Sequence, residues 1–474
     1  MHTPYFPSLR PRLAPLKATL QSIRSQPLPQ IQNLFASWIA PESLTQQEQG
    51  CHSRDCVFSL SVTFWAFLSQ VLNPGSPCRE AVRQVQALLC LRQRPPIDEQ
   101  TSAYCQARQR LPIGRLHQIF GRIAQQARPR AGKCLWLGRE VKVVDGSSVS
   151  LPDTPKNQKA YPQQKGQKPG CGFPIMKFVG LFSLQTGCLL SVVTGNFYQT
   201  ELFLFRKIWH YLKPRDVLLA DRHFSDYGTL AWLWKRGVDV IVRLHQSRPV
   251  DFRKGSYLGP NDRLVTWPKP IQRTRTLGQK IWDRLAEQIT VRLIRVSIKV
   301  PGFRTRQILI ATTLLDPKKY PAQAIAQLYL QRWQVELFFR HIKTTLQMEV
   351  LRSRNPQMVH RELLLHFIAY NLVRSIMLET ARKNDVPLER ISFKGSIDAI
   401  RQYSIAINCA PTKKAAARLI KDLLKVLALD LVPERPHRRE PRALKRRPKP
   451  FSLLTKPRHL FKEIPHRGKY RKQT

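Results

Sequence analysis

The chain has 474 residues and carries 79 Lys and Arg against 31 Asp and Glu, a formal net charge of +48. Such an excess of one sign destabilises a compact fold through self-repulsion, so a polyanion is expected as the working partner. Nucleic acid is the first candidate, because phosphate contacts and counterion release would supply the affinity. An acidic membrane surface is the weaker alternative, since neither a run of 18 apolar residues nor a secretory pattern is found, and we predict no membrane partner.

The nine cysteines lack the closely spaced pairs of a zinc site. Cys51, His52 and Cys56 form the closest group, and no second pair of ligands follows them. We therefore interpret the cysteines as ordinary reduced thiols of a cytoplasmic protein. The length is sufficient for two or three domains.

Residues 1–135 are predicted to form an all-helical N-terminal domain that binds DNA. Apolar residues recur at helical spacing, and Pro-containing turns separate the segments. Arg79, Arg83, Arg92 and Arg94 are candidates for phosphate contacts, although the ordinary surface of a basic protein would show the same pattern. The first forty residues hold no acid, which suits a basic arm on DNA or a poorly ordered leader. The predicted helices cover residues 57–72, 79–92, 102–110 and 116–128.

Strands and helices alternate over residues 136–245, which predicts an α/β sheet as the first part of the core. Two short apolar runs end on an acid. Residues 141–144 precede Asp145, which opens a polar turn of sequence Asp-Gly-Ser-Ser, and residues 217–220 precede Asp221. Further strands are predicted over residues 175–184, 188–193 and 238–244, and helices over residues 200–212 and 227–236.

The alternation is interrupted over residues 246–318, where prolines, glycines and basic residues surround a predicted strand pair. We predict a β-rich insertion here. A second part of the core follows over residues 319–410, and a basic C-terminal tail over residues 411–474, which is rich in Arg, Lys and Pro. The predicted strand pair covers residues 289–300 and 305–313, and the predicted helices cover residues 321–347 and 358–382.

The first of these two helices carries a polar row with one acid among cations. Tyr329, Arg332, Glu336 and Lys343 fall inside an arc of roughly 60° on a regular helix. A carboxylate flanked by fixed cations suits a metal ion bound to a phosphodiester. A solvated face with ordinary ion pairs is the alternative. An apolar stripe on the far side predicts packing on a core and consists of Val335, Phe338, Phe339, Ile342 and Leu346.

A two-metal phosphoryl-transfer site needs about three carboxylates from different elements, because two divalent ions must be neutralised and oriented. Acids at the carboxyl ends of strands are well placed for this in an open α/β sheet. Asp145 and Asp221 fulfil this condition, and Glu336 would supply the third carboxylate. The competing acids lie away from strand ends or before a strand, and they are Asp153, Asp216 and Asp226.

At this point the residues resemble a family. Asp145-Gly146-Ser147-Ser148, the run Leu218-Leu219-Ala220-Asp221-Arg222 and the helix motif Tyr329-x2-Arg332-Trp333-x2-Glu336-x6-Lys343 are similar to DDE transposases of insertion sequences with the Tyr-Arg-Glu-Lys signature, the IS-four type. The resemblance covers roughly residues 136–410. It implies a ribonuclease H-like catalytic core, interrupted by a β-rich insertion between the second Asp and the Glu.

The resemblance also implies a chemistry. Asp145, Asp221 and Glu336 would hold two Mg²⁺ ions, with Mn²⁺ as a substitute, and the protein would cut and paste DNA through a hairpin intermediate. Tyr329, Arg332 and Lys343 would hold phosphates.

Trp333 would hold an unstacked base, although a Trp packed at the helix flank is as good an interpretation. The only insertion tryptophans, Trp267 and Trp282, match no expected spacing for a second base-flipping aromatic.

The implied partners are double-stranded DNA, both the terminal inverted repeats of the element and its target, and a second copy of the chain in a homodimeric synaptic complex. The implied location is the cytoplasm, in association with the nucleoid. Two other functions remain open at this point. A ribonuclease H-like nuclease or resolvase would share the three carboxylates, and a catalytically retired, transposase-derived DNA-binding protein would keep the fold.

Overall fold

The computed structural model describes residues 32–35, 37–45, 57–91, 97–130, 135–168, 170–245, 248, 250–297, 307–434, 456, 460 and 461. The predicted N-terminal arm up to residue 31, the group of Cys51, His52 and Cys56, and nearly all of the predicted tail beyond residue 434 lie outside the described residues. Arg92 and Arg94 lie outside them as well.

The described residues up to 130 are helical, and they share a core with the rest of the protein. Helices α2 and α5 pack against a long helix, α12 (Pro356–Asn384), and their apolar side chains belong to the same buried cluster as the sheet. The predicted N-terminal domain is therefore continuous with the core in its packing. The N-terminal helices are α1 (Gln32–Phe35), α2 (Leu60–Leu72), α3 (Cys78–Leu91), α4 (Ser102–Arg110) and α5 (Ile113–Arg130), with a short 3₁₀ turn at Pro41–Leu44.

A nine-stranded mixed sheet in the order β3-β2-β1-β4-β5-β9-β8-β7-β6 organises the fold. β1 runs parallel to β4, and β4 parallel to β5, whereas the other neighbouring pairs are antiparallel. The strands are β1 (Val141–Ser150), β2 (Ile175–Ser183), β3 (Leu189–Asn196), β4 (Val217–Ala220), β5 (Asp239–Arg243), β6 (Ser256–Gly259), β7 (Asp262–Pro268), β8 (Gln288–Ser297) and β9 (Gln307–Thr312).

Buried clusters cover both faces of this sheet. One contains the N-terminal helices and α12, and the other contains α7 (Glu201–Arg206) and α8 (Tyr227–Lys235), which follow β3 and β4. Two shorter helices, α6 (Pro155–Ala160) and α9 (Gln279–Trp282), lie in the connections. The mixed α/β class predicted from the sequence is confirmed.

The predicted polar turn after residue 144 is not a turn. β1 continues through Asp145-Gly146-Ser147-Ser148 to Ser150, because all these residues stay paired with β2, in a ladder that runs from Lys142↔Ser183 to Ser150↔Ile175. Tertiary pairing thus outweighs the turn preference of the Gly-Ser-Ser sequence. Asp145 consequently lies within a strand, at the point where the pairing of β1 with β4 ends.

The region of the predicted insertion extends the central sheet. Its strand pair is observed as β8 and β9, and β9 pairs with β5, so β6 to β9 continue the sheet beyond the first five strands. Arg292 anchors this region, because its guanidinium bonds the Asp262 carboxylate at 2.8 and 2.5 Å and the Tyr320 carbonyl at 2.7 Å.

The predicted helix over residues 321–347 is one helical run with changes of pitch. α10 (Ala322–Leu330) leads into a 3₁₀ turn (Gln331–Trp333), α11 (Gln334–Arg340) and a π-helical turn (His341–Thr345). All five side chains of the predicted apolar stripe are buried. We call this run the signature helix.

The C-terminal part of the described chain is helical. Residues 413–429, which the sequence analysis assigned to the tail, form α14 (Lys413–Leu429) instead. Leu423, Leu424 and Leu427 bury one face of α14 against α12 and α13 (Phe393–Asn408), so this stretch belongs to the folded core. Within the described residues, every helix is too short or too polar to cross a membrane.

Candidate active site

Asp145 and Asp221 come from neighbouring parallel strands. β1 and β4 pair in the register Val141↔Val217 to Val143↔Leu219, and extending this register by two residues places Asp145 abreast of Asp221. Both carboxylates are partly accessible, with 21% and 25% of their side-chain surface exposed. The sheet therefore supplies two acids at one place, where the buried β4 ends and solvent begins.

Arg332 connects the signature helix to this pair. Its Nη1 lies 3.8 Å from Oδ2 of Asp145, and its Nη2 lies 3.6 Å from Oε1 of Glu336. Only 11% of the Arg332 side chain is exposed, and its buried Nε has no hydrogen-bond partner among the described residues. The structure thus brings Asp145, Asp221, Arg332 and Glu336 into one group.

Burial is the main influence on the pKa values of these acids. Burial raises the pKa of Asp145 to about 7, and the charges of Asp221 and Glu201 add to this rise. The Gly146 N–H and Arg332 act in the opposite direction. Burial also raises the pKa of Glu336, against the effect of Arg332. One arginine thus compensates only part of the negative charge collected here.

Asp221 also caps the turn that follows its strand. Its Oδ1 accepts a hydrogen bond of 2.8 Å from the His223 N–H, and its Oδ2 lies 2.9 Å from the His223 ring Nδ1. The 3₁₀ turn Arg222–Phe224 is anchored by the fully buried Phe224. The carboxylate is therefore held in place by the turn it begins, and the imidazole of His223 is an additional neighbour of the site.

Glu201 is a fourth acid at this place, and the sequence analysis did not consider it. It is the first residue of α7, and a Cβ at position 146 would overlap its carboxylate. Burial raises the pKa of Glu201, and the charge of Asp221 contributes. The available signal was Gly146, because a glycine inside a strand often marks the close approach of another group.

Tyr329 is placed differently from the expectation that it faces DNA. Its side chain is only 4% exposed and belongs to the apolar core. Burial raises its pKa to about 12, and Asp221, Arg332 and Arg243 lie near enough to influence it. Packing explains the difference, because α10 contacts β5 and Tyr329 lies near Arg243 at the end of that strand, where its ring is covered.

Trp333 lies at the surface beside Arg332, and Lys343 lies further along the signature helix. Trp333 is 43% exposed, and its ring lies 5.4 Å from the guanidinium carbon of Arg332. Lys343 is half-buried in the π-helical turn and lines a cleft of about 890 Å³ together with Asp153, Thr154 and Arg354. Both remain accessible to a ligand larger than the group of acids itself.

The competing acids have structural partners. Asp216 forms a buried ion pair of 2.5 Å with Lys142. Asp226 caps α8 through the Thr229 N–H and pairs with Arg206 at 3.0 Å. Asp153 accepts a hydrogen bond of 2.9 Å from Gln158. These roles account for the three residues without any chemistry.

The carboxylates do not surround a common point in this conformation. Within the described part of the chain, no three His, Cys, Asp or Glu side chains are close enough together to enclose a metal ion. Arg332 lies between Asp145 and Glu336, so its guanidinium occupies the space between the carboxylate of the strand and the carboxylate of the helix.

Comparison with known proteins places this group of acids in a family. A family model described as a transposase DDE domain matches residues 136–372, which is half of the chain. The chain belongs to this family. Its members are DNA-cleaving and strand-transferring enzymes, and the matched range of this transposase includes Asp145, Asp221, Arg332 and Glu336.

Individual relatives agree with this assignment. The chain is 28% identical over 400 residues to the transposase InsG of insertion sequence element IS4 from Escherichia coli K12, an alignment that covers 82% of this chain and 86% of InsG. It is 38% identical over 88 residues to a probable transposase of element IS5377 from Geobacillus stearothermophilus, covering 19% of this chain and 22% of the relative. The transposase is therefore of the IS4 type.

A solved structure of a piggyBac transposase synaptic complex with hairpin DNA aligns at 10% identity, covering 86% of this chain and 85% of that one. Its TM-score of 0.40 is too low to support an argument about this transposase.

Proposed function

We propose that this transposase moves an insertion sequence by cut-and-paste transposition, with Asp145, Asp221 and Glu336 as the metal-binding acids. The observation that carries the proposal is their placement. Parallel pairing of β1 and β4 sets the two aspartates abreast, and Arg332 lies within 4 Å of both Asp145 and Glu336. Three acids from two strands and a helix are the donor set that a two-metal site requires.

The residues present fit divalent cations. Hard carboxylate oxygens are the ligands that Mg²⁺ prefers, and a cation here would stabilise the charged form of Asp145, whose pKa is raised by burial and by the neighbouring acids. The unpartnered Nε of Arg332 indicates that the arginine is incompletely satisfied where it lies. Asp145, Asp221 and Glu336 would hold two Mg²⁺ ions, and Mn²⁺ would substitute.

When bound, such ions supply Lewis acidity that activates a water or a DNA 3′-hydroxyl and stabilises the departing oxygen. The protein groups orient the substrate. Arg332, with its planar guanidinium, suits bidentate contact with the phosphate next to the cleaved bond, and Lys343 offers a point charge at the neighbouring cleft. The exposed Trp333 ring offers a stacking surface for the base that a hairpin intermediate would unstack.

The sheet supports a ribonuclease H-like core. In the first five strands, the antiparallel β3-β2-β1 is followed by β4 and β5, both parallel to β1, which is the arrangement expected of that fold. We propose that residues 136–245 and 319–410 form this core and that residues 246–318 are an insertion into it.

DNA recognition is proposed to involve the N-terminal helices. Arg79 and Arg83 are exposed on α3 and suit phosphate contacts. We propose that the partners are the terminal inverted repeats and the target DNA, that a homodimer pairs two element ends, and that the protein acts in the cytoplasm at the nucleoid. The high positive charge of the chain favours association with DNA.

The proposal is tested with DNA that carries the inverted repeats flanking the coding sequence. We expect nicking, hairpin formation and strand transfer in Mg²⁺, and no products after chelation of the metal. Glu336→Gln and Asp145→Asn are expected to abolish cleavage while leaving binding of the element end nearly intact. Asp398→Asn is the matched control, because Asp398 forms an exposed ion pair with Lys394 on α13 and is not one of the acids of the site, and it is expected to cleave normally.

Four outcomes would contradict parts of this proposal. Normal cleavage by Glu336→Gln would remove the third carboxylate from the site. Cleavage without strand transfer would indicate a nuclease, and binding without cleavage would indicate a retired DNA-binding protein. If both strands are cleaved and the ends are transferred but no hairpin product forms, transposition stands and the hairpin route is excluded.

A further inference from the structure

We infer that Glu201 is a fourth carboxylate of the active site and helps Asp145 and Asp221 to bind a divalent cation. The inference rests on the proposed function of the acids above and extends it to a residue on α7. The two glutamates would approach the aspartates from different helices. Glu201 would close the site from the helix after β3, whereas Glu336 would close it from the signature helix.

The placement of Glu201 is built into the fold. Thr200 caps α7 by accepting a hydrogen bond of 3.2 Å from the Phe203 N–H, so Glu201 occupies the first helical position. Leu204 and Phe205 are fully buried against the sheet and fix the helix there. A glutamate in this position is directed by the packing of its own helix rather than by a flexible loop.

Gly146 provides the space into which the Glu201 carboxylate fits. A Cβ at position 146 would overlap the Cγ, Cδ and Oε1 of Glu201. Gly146 is the residue after Asp145, and it lies in mid-strand, where glycine weakens pairing unless a close approach requires it. Gly146 thus weakens the strand next to Asp145, and the Glu201 carboxylate occupies the space left by the missing side chain.

The charge around Glu201 lacks compensation. No hydrogen bond or ion pair to its carboxylate occurs within the described ranges of the chain, although the carboxylate lies against the strand residue that follows Asp145. His223 and Lys177 lie near enough to influence the carboxylate, but neither forms an ion pair with it among the described residues. Carboxylates that approach one another without a cation among them are costly, and a divalent ion removes that cost.

An alternative role as a helix-dipole residue does not explain the geometry. An acid in the first turn of a helix is stabilising at the surface, where it points to water. Glu201 instead turns toward β1, where its carboxylate occupies the space that a Cβ at position 146 would take. A purely structural glutamate would avoid the repulsion by taking an outward rotamer.

Binding of Mn²⁺ to the full-length protein tests the inference without DNA chemistry. Free Mn²⁺ is measured by electron paramagnetic resonance, and thermal unfolding is followed with and without the ion. Glu201→Gln keeps the shape and removes the charge. We expect it to weaken Mn²⁺ binding about tenfold or more. Without metal it should unfold at a higher temperature than the wild type, because a repulsive charge has been removed.

A second variant and a control complete the design. Gly146→Ala keeps every charged group but fills the space that Glu201 occupies, so it should weaken Mn²⁺ binding to a similar extent. Asp398→Asn removes an exposed acid on α13, outside the group, and should bind Mn²⁺ like the wild type.

The outcomes separate this inference from the proposed function. If Asp221→Asn loses Mn²⁺ binding while Glu201→Gln binds it normally, the Glu201 inference is overturned and the proposed function stands. A lower unfolding temperature of Glu201→Gln with unchanged Mn²⁺ affinity would likewise reduce Glu201 to a structural role. If Asp221→Asn also binds Mn²⁺ normally, the metal site lies elsewhere and both proposals fail.

Discussion

The two ends of β4 carry an aspartate each, and the protein uses them in opposite ways. Asp216 precedes the strand, is 6% exposed at its side chain and pairs with the buried Lys142 at 2.5 Å. Asp221 follows the strand, is 25% exposed and has His223 as its hydrogen-bonded neighbour. Only four apolar residues separate the two acids.

The difference lies in how each charge is compensated. At the Asp216 end, the Lys142 ammonium also donates to the Tyr211 carbonyl, and the Lys213 N–H donates to the Asp216 carboxylate, so both charges are satisfied. At the Asp221 end, further acids approach and one arginine is shared between Asp145 and Glu336. Complete compensation gives stability, whereas incomplete compensation leaves a place for cations and phosphate.

The largest expected effect is the loss of chemistry in Asp221→Asn. The amide keeps the shape and can still cap the turn, but it removes a charge that the proposed metal site requires. We expect DNA strand cleavage to fall by about 10³-fold or more, equivalent to roughly 4 kcal/mol. The free energy of unfolding should change by less than about 1 kcal/mol. Single-turnover cleavage in Mg²⁺ and urea unfolding measure the two quantities.

The difference between the two ends of β4 would be refuted if Asp221→Asn lowered the free energy of unfolding but left the cleavage rate of the folded protein unchanged. Asp221 would then be a structural acid like Asp216, and the two ends of β4 would not differ in kind.

The reverse result is expected for Asp216→Asn. This change leaves the Lys142 ammonium buried without a carboxylate, because its side chain is only 3% exposed. Breaking such a pair costs about 3–5 kcal/mol of unfolding free energy. The fraction that remains folded should cleave DNA at a nearly normal rate. Urea unfolding and active-site-normalised cleavage provide the measurements.

A matched control for this variant is Asp398→Asn, which removes one partner of the exposed pair with Lys394. An exposed pair contributes at most about 1 kcal/mol, so little change is expected. Equal destabilisation by Asp216→Asn and Asp398→Asn would contradict the role of the buried pair.

The sequence predicted the three acids but only part of their setting. Asp221 was proposed because β4 is a short apolar run that ends on an acid, a local pattern that needs no partner strand. Asp145 was assigned to a turn, since its pairing with Gly180 on β2 depends on residues 35 positions away in the chain. Glu201 was missed, because nothing local distinguishes it from an ordinary first-turn acid until α7 is packed on the sheet.

The signature helix was also predicted only in part. Regular spacing correctly predicted the buried stripe, and it also placed Tyr329 on the polar face. Whether Tyr329 meets solvent or the sheet depends on the packing of α10 against β5, which helical spacing does not reveal. The pairing of β9 with β5 is likewise a long-range contact, which is why the insertion was not expected to extend the central sheet.

A smaller effect is expected when the shared arginine is removed. Arg332→Ala should lower strand transfer about 10- to 100-fold, roughly 1.4–2.8 kcal/mol, since the guanidinium lies within reach of both Asp145 and Glu336 and suits bidentate phosphate contact. DNA affinity should fall by less than about threefold. Cleavage, strand transfer and binding are measured at two salt concentrations.

Arg332→Lys is the informative companion, because an ammonium keeps the charge but cannot span two partners, and it should not restore the rate. A uniform loss of binding with unchanged chemistry would make Arg332 a general phosphate contact, unrelated to the acids at the Asp221 end of β4.

The smallest effect is expected at Tyr329, and it decides between the two placements of this residue. One possibility is that Tyr329 is a buried residue that supports Asp221. Tyr329→Phe then retains the buried ring and loses only the hydroxyl, which lies within hydrogen-bonding reach of the Arg243 backbone. The free energy of unfolding should then fall by about 1 kcal/mol, with DNA affinity and cleavage within about twofold of the wild type. A phosphate contact predicts the opposite pattern, in which stability is kept and DNA affinity falls. Urea unfolding and DNA binding of the same preparation therefore separate a tyrosine that supports the site from one that touches its substrate.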